Sequence, residues 1–479
     1  MPQDVAIKIR IQVEEATPLP RTGTLYAIRE LARRAGVSAE MFKTWRFDFE
    51  DGHFVSVFVN PGTTQRIRFP QADPWFWGDL YRGTFRTSTA AWMHAPEERF
   101  ASVTDFKIPY SSDDRPAVGR FFVPVGSDCV ECPVDLPAST LLTLSRFEET
   151  LPVPRDAHGR FSAFSSVAWR EGFLHRPIVD EYGIALAQAL SYLLPGWTPE
   201  ERHLRVKLGH DVDEIGVPFS VRSALGHTFR RRSPLATVRD FLALSTGAEN
   251  TYQILLRTLV KLSRERGLDS AVYWKSNGSK PRESGYDPRH KQIRNLVAAF
   301  RDQAVEMGIH PGYETFESLE KLSADVSELR EWLGERQVGG RQDFLRWSPQ
   351  SWVHWNSLGL AYDASVGFAD HIGFRAGTSY PYRPWLLSKR CEAELLEIPL
   401  LAMDSTLQAY MKLKPGQALA RLRECVGRCR TVGGVFTLVW HNTKLMDDGY
   451  TKVYRTLLDE LAGTDGYDWR AACNGHCWG

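Results

Sequence analysis

Asp211 and Asp213 stand two residues apart in the segment Gly209-His-Asp-Val-Asp213, directly after a short apolar run from Leu204 to Leu208. If strand geometry persists through them, both side chains point the same way. Two carboxylates so close cannot both stay ionised without a cation or a shared proton. A divalent metal held by one, with a water activated by the other, relieves that conflict. A loop whose aspartates cap the next helix or form an Asx-turn is the structural alternative. Three more strand-like segments end in polar clusters: Ile309 before His310-Pro-Gly-Tyr-Glu314, Gly340 before Arg341-Gln-Asp343, and Val435–Trp440 before His441-Asn442. His310 sits at an abrupt turn, and Glu314 follows at the spacing of one helical turn. With Asp213 they would make a three-ligand site that leaves a position for water. His441 ends a run too apolar for a surface strand, where it could protonate a leaving group. Each histidine taken alone is more simply a packed or surface residue; the coincidence of four strand ends carries the argument.

The elements that must position these residues alternate. Strand-like Leu204–Leu208, Ala271–Trp274, Gly359–Tyr362, Ala393–Leu400 and Gly434–Trp440 are interleaved with helical periodicity over Val238–Arg266, Ile293–Met307, Phe316–Leu333, Gly416–Cys429 and Tyr450–Leu461. Such alternation predicts an α/β fold with a mainly parallel sheet and enough units for a barrel, whose chemistry lies at the C-terminal strand ends. Residues 1–195 read instead as a mixed α+β accessory domain, with helices over Leu25–Ala35, Ser139–Thr150 and Val179–Leu193 and short strands such as His53–Val59 and Val118–Pro124. Pro195-Gly-Trp-Thr-Pro199 marks the boundary, so 196–479 forms the second domain. The run Pro74-Trp-Phe-Trp77 could shape a substrate site, although a core role is the simpler one.

The 479 residues suit two or three domains, and 43% hydrophobic against 24% charged residues is a globular composition. With 59 basic and 58 acidic residues, net charge +1, there is no electrostatic reason to expect nucleic acid or an anionic membrane as partner. No apolar stretch is long enough to span a bilayer and no secretory signal is visible, which by default predicts a cytoplasmic protein. Seven irregularly spaced cysteines are a poor disulfide framework. Cys129-x-x-Cys132 and Cys473 with His476 and Cys477 could each seed a zinc site, but reduced thiols are the simpler expectation.

In order, the motifs resemble the polysaccharide deacetylase (NodB-homology) superfamily of carbohydrate esterases, and within it the WbmS-like branch. The residues carrying this are Gly209–Asp213, Gly308-Ile-His-Pro-Gly312, Gly340-Arg-Gln-Asp-Phe-Leu-Arg346, Tyr362-Asp-Ala-Ser-Val-Gly-Phe-Ala-Asp370, Ile372-Gly-Phe-Arg-Ala-Gly377, Leu396-Glu-Ile-Pro-Leu400, Met403-Asp-Ser405 and Leu438-Val-Trp-His-Asn442. Leu144–Glu149 and Gly172–Glu181 resemble the domain that often precedes this module. The resemblance implies a distorted (β/α)7-type barrel and removal of an N-acetyl group from a sugar of a bacterial surface polysaccharide or its precursor. It implies Asp211 as general base and His441 as general acid, with Asp213 and His310 as metal ligands. Arg341 and Asp363 would orient the catalytic groups, and Arg375, Trp440, Asn442 and Asp404 would lie against the substrate. One divalent metal is implied, zinc first. The family's adjacent aspartates are here separated by Val212, so Asp211 and Asp213 could exchange roles. Its second histidine is replaced by Glu314, so either Glu314 completes the metal site or Asp343, Asp404 or water does. A carboxylate there admits manganese, iron or cobalt. Competing readings are a degenerate glycan-binding barrel, or hydrolysis of another bond, such as a glycosidic link cleaved between Asp211 and Glu314.

Overall fold

The computed structural model describes residues 21–473, apart from 51–53, 72–86, 96, 101–102, 104, 111–116, 216–247, 277–285, 287–288 and 336. The Pro74–Trp77 run, His476, Cys477 and the first part of the helix expected from Val238 lie outside the described residues.

The segment around Asp211 is strand β1, Arg205–Val212, in which every residue but Arg205 is buried. Burial on both faces is the mark of a parallel strand covered by helices. Next to it runs β2 (Ser270–Trp274), then β3 (Glu306–Ile309), all parallel. Short strands β4 (Tyr362–Asp363) and β5 (Leu396–Glu397) form a parallel pair. On the other side of β1 lies β7 (Val435–Val439), followed by β6 (Ala402–Met403). The main sheet therefore runs β3-β2-β1-β7-β6. Single bridges from Ile309 to Gly340 and from Gly340 to Asp363 continue it toward β4. The fold is mixed α/β, as expected, but among the described residues no pairing joins β5 to β6, and the array is not closed into a barrel. The helix expected over Ile293–Met307 ends at Asp302, because Ala304 turns through a left-handed conformation (φ 52°) before β3 begins.

Helices Thr251–Arg264, Lys291–Asp302, Leu319–Leu333, Pro415–Val432 and Asp448–Leu461 alternate with these strands. Upstream, an open five-stranded sheet (Arg46–Glu50, Phe54–Phe58, Arg66–Pro70, Cys129–Glu131, Val123–Pro124) and a three-stranded one accompany helices Arg21–Arg34, Leu136–Leu144 and Ile178–Leu193. One apolar cluster runs from Tyr26 and Leu190 of this part to Trp274 and Trp355 of the later part.

Buried polar pairs reinforce that contact. Asp180, on the Ile178–Leu193 helix, accepts the Arg34 Nε at 2.9 Å and both the backbone and hydroxyl of Ser379 at 2.7 and 2.8 Å. Glu149 receives Arg375 through Nε at 2.9 Å and Nη2 at 2.5 Å, with both residues at most 3% exposed. Removing one partner of such a pair strands the other charge away from water. Arg375→Met is expected to lower unfolding stability by about 3–5 kcal/mol in urea titration. A loss below about 1 kcal/mol, the scale of an exposed pair, would show that the two groups are not desolvated together.

Candidate functional site

Along β1, Gly209 and Asp211 share one face, and Asp213 follows in the same direction past the strand end. A Cβ on Gly209 would lie 3.1 and 3.2 Å from the two terminal nitrogens of Arg341, so the bare glycine makes room for that guanidinium. From there Arg341 reaches Asp211 Oδ1 through Nη1 at 2.6 Å, while its Nε donates to the Ala364 carbonyl at 2.9 Å. Arg341 itself is delivered by a backbone crossing that tolerates no side chain: a Cβ on Gly340 would fall 2.0 Å from the Ile309 carbonyl oxygen.

His310 continues β3, its backbone N–H donating to the Trp274 carbonyl at 2.7 Å. Its Nδ1 faces the Arg341 carbonyl at 2.7 Å, which fixes the ring and leaves Nε2 toward two carboxylates, Asp213 Oδ1 at 3.4 Å and Asp343 Oδ1 at 3.3 Å. A histidine tied to a backbone carbonyl through one nitrogen presents the other as a ligand. Asp343 is held on a tight turn whose next two residues, Phe344 and Leu345, have φ of 57° and 52°. For such side chains that backbone is strained, and it is tied down by Asp343 Oδ1, which accepts the Phe344 N–H at 3.0 Å, and by Arg160 Nη1 donating to the Phe344 carbonyl at 3.0 Å. The second Asp343 oxygen is buried with no hydrogen-bond partner among the described residues. Donor atoms of Asp213, His310 and Asp343 all lie within 4.8 Å of one another, and this group could hold a metal ion. Two carboxylates, one imidazole and an orphaned carboxylate oxygen suit a divalent cation.

His441 lies just past β7. Asp404 accepts its backbone N–H at 2.6 Å and its Nδ1–H at 2.7 Å, so Nε2 is turned toward Asp213 Oδ2 at 3.5 Å. The Lys275 ammonium, two residues beyond Tyr273 of β2, lies 3.0 Å from both Asp213 Oδ1 and Asp343 Oδ1. Asp211, Asp213, His310, Asp343 and His441 line one pocket of about 160 Å³, together with Arg160, Phe344 and Tyr410. At about 30 Å³ per water, that holds about five waters or a small acyl group. A larger cleft of about 600 Å³, lined by Arg205, Leu396 and Val435, opens at the opposite strand ends, where such folds keep stability rather than chemistry.

Charge sets the protonation. Burial alone would raise the Asp211 carboxyl, but Arg341, with His310 and His441, reverses this and holds it below its usual range. Burial acts likewise on Asp213, and Lys275 and the two histidines hold it well below that range. Burial works against a charged His310, yet Asp211, Asp213 and Asp343 push it up to about 10. The carboxylates that favour the imidazolium would equally favour a dication, whose binding then releases the proton. His441 is raised against burial to about 9, chiefly by Asp404.

The structure thus brings Asp211, Asp213, His310, Arg341, Asp404 and His441 together and leaves other expected residues apart. Glu314 is on a 3₁₀ turn, Tyr313–Thr315, outside the following helix; its side chain is 45% exposed and lies 3.6 Å from Lys321. The helical spacing that linked it to His310 is absent, Asp343 stands where it was expected, and no Asp211–Glu314 cleft forms. Arg375 is consumed by Glu149 and the Gly367 carbonyl. Trp440 is fully buried against Tyr454 at 4.9 Å, and Asn442 donates to the Glu214 and Tyr252 carbonyls at 2.9 and 3.3 Å. All three are buried, and Asn442 opens the 3₁₀ turn Asn442–Met446 beyond the strand, which ends at Val439. Asp404 serves His441 rather than a substrate. Asp363, pushed up by burial to about 6, accepts the Ser365 N–H at 2.9 Å, and the Ser365 hydroxyl in turn accepts the Gln342 N–H at 2.8 Å, so it acts on the site through backbone. His210, inside the first motif, faces the helices, with Nδ1 2.8 Å from the Trp440 carbonyl. Lys275 and Arg160 escaped sequence reasoning. For Lys275 a signal existed, since it continues the inward parity of Ala271 and Tyr273; Arg160 carried none.

Residues 84–195 match a family of unknown function (DUF7033). No curated protein matches the chain. Among solved structures, the chain is similar to a candidate polysaccharide deacetylase from Mycobacterium smegmatis (13% identity, TM-score 0.41, covering 58% of this chain and 92% of that one). Another, from Bordetella bronchiseptica and described as involved in O-antigen biosynthesis, gives 15%, 0.28, 58% and 92%. A third, from Pseudomonas aeruginosa, gives 12%, 0.38, 60% and 96%. At such identities the chemistry of the site has to be read from its own side chains.

Proposed function

We propose that the chain is a metal-dependent hydrolase that removes the acyl group from an N-acetylated sugar of a surface polysaccharide or its precursor. Residues 196–479 would form the catalytic unit and residues 1–195 an accessory unit. The observation that carries this reading is the convergence, in one pocket at the strand ends, of an Arg-paired carboxylate, an Asp–His–Asp group and an Asp-oriented histidine. Asp213, His310 and Asp343 would hold one divalent ion, zinc, manganese, iron or cobalt, which when bound supplies Lewis acidity toward a carbonyl oxygen and toward water. Asp211, kept ionised by Arg341, accepts the proton of the attacking water. His441 gives its Nε2 proton to the departing amine nitrogen as the C–N bond breaks, and Asp404, accepting from Nδ1, favours the imidazolium that can do so. The products are acetate and the free amino sugar.

Acetate release from N-acetylglucosamine oligomers and nucleotide-linked acetamido sugars tests the reading. Asp211→Asn and His441→Ala should each lower kcat/KM by about 10²–10⁴-fold with the fold intact by circular dichroism. Wild type releasing no acetate with any of the four metals, or either variant matching it, would reject the assignment.

The pH dependence follows from the same groups. Asp211 stays ionised through neutrality, and His441 keeps its proton up to about 9, so activity should fall as pH rises through about 9. Without the Asp404 carboxylate the largest influence that raises His441 is lost, and in Asp404→Asn the alkaline limb should move to lower pH. A limb left near 9 would show that another group supplies the proton. Metal analysis separates the third ligands: Glu314→Ala should retain the ion of the wild type, and Asp343→Asn should lose it.

A further inference from the structure

Lys275 occupies an unusual place for a lysine. Its side chain is 4% exposed, and its Nζ stands 3.0 Å from Asp213 Oδ1 and 3.0 Å from Asp343 Oδ1. These are the same two oxygens that His310 Nε2 approaches at 3.4 and 3.3 Å. The position is built: the Lys275 backbone N–H donates to the buried Tyr286 hydroxyl at 2.6 Å, and the strand parity of Ala271 and Tyr273 turns the stem inward. Beside the Asp213–His310–Asp343 group stands a permanent positive charge, the Lys275 ammonium, facing both carboxylates. A divalent ion on the same oxygens would be neutralised by the two carboxylates alone, and the ammonium, 3.0 Å from those oxygens, would then be a surplus charge of like sign beside it.

We propose that Lys275 is an internal competitor for the cation position: its ammonium clamps Asp213 and Asp343 together when no ion is bound, and a divalent ion enters by displacing it. The inference rests on reading these three residues as a cation site; it does not depend on what the site hydrolyses. Lys275 then sets how tightly the ion is held and makes loading a substitution of one cation for another, not the filling of a vacant cage. The four-carbon stem lets the ammonium withdraw without moving β2.

Cobalt(II) titration of the full chain, followed by calorimetry and visible absorption, tests this on wild type, Lys275→Met and the double variant Lys275→Met/Asp343→Asn. Methionine keeps the length of the stem and removes the charge. Lys275→Met should bind cobalt at least tenfold more tightly than wild type, and the double variant should lose that gain. In chelator, Lys275→Met should melt below wild type and recover on adding cobalt, because the two carboxylates are then held by the ion. Folded Lys275→Met with equal or weaker affinity would overturn the role of Lys275 and leave the cation site standing. Binding to neither protein would overturn both.

Discussion

Carboxylates crowded at the ends of parallel strands repel one another, and the site is organised around that repulsion. Asp211, Asp213 and Asp343 line a pocket of about 160 Å³, with Asp404 behind His441, and each is answered by a positive group or proton donor. Arg341 answers Asp211, His441 answers Asp404, and Lys275 with His310 answers the remaining two. In the proposed reaction the pairings would divide the work by protonation state. The carboxylate with a permanent guanidinium partner stays ionised and can take a proton, whereas the histidine with a permanent carboxylate partner stays charged and can give one. The carboxylates between them, whose partners are a flexible ammonium and a titratable ring, are the ones placed to exchange their cation.

Backbone makes this convergence feasible. Gly209 clears space for Arg341, and Gly340 lets one chain cross another at a distance no other residue allows. The left-handed pair Phe344–Leu345 turns the chain back immediately after Asp343. Strain at that turn is countered from outside the sheet, by Arg160, which is itself held by Asp156 at 2.7 Å and by the Tyr410 hydroxyl at 3.0 Å.

Much of this was legible in the sequence. The two-residue spacing of Asp211 and Asp213 on a strand, and polar residues at the ends of other apolar runs, located Asp211, His310, Arg341 and His441 without structural help. What failed did so for identifiable reasons. A helical period would link Glu314 to His310, but Pro311-Gly312 and a 3₁₀ turn intervene and the helix begins only at Leu319. Trp440 and Asn442 neighbour His441 in sequence, but the strand ends at Val439 and both side chains go into packing rather than the pocket. Lys275 lies 62 residues from Asp213 and 68 from Asp343 along the chain, so its pairing is a fact of tertiary structure. The absence of a pairing between β5 and β6 among the described residues was equally hidden, since alternation of strands and helices describes a closed barrel and an open sheet alike.

The buried contact between Arg375 and Glu149 has a bearing on how the gene can be handled. A fragment beginning near residue 196 would keep the candidate pocket's aspartates and histidines, yet it would leave the Arg375 guanidinium without a counter-charge and the Phe344 carbonyl without its donor. The segment similar to a family of unknown function supplies both missing groups, Glu149 and Arg160. Through these contacts it completes the later part and does not stand beside it as a detachable module. Expression trials, domain swaps and searches for minimal active units in this chain should therefore treat the two parts as inherited together.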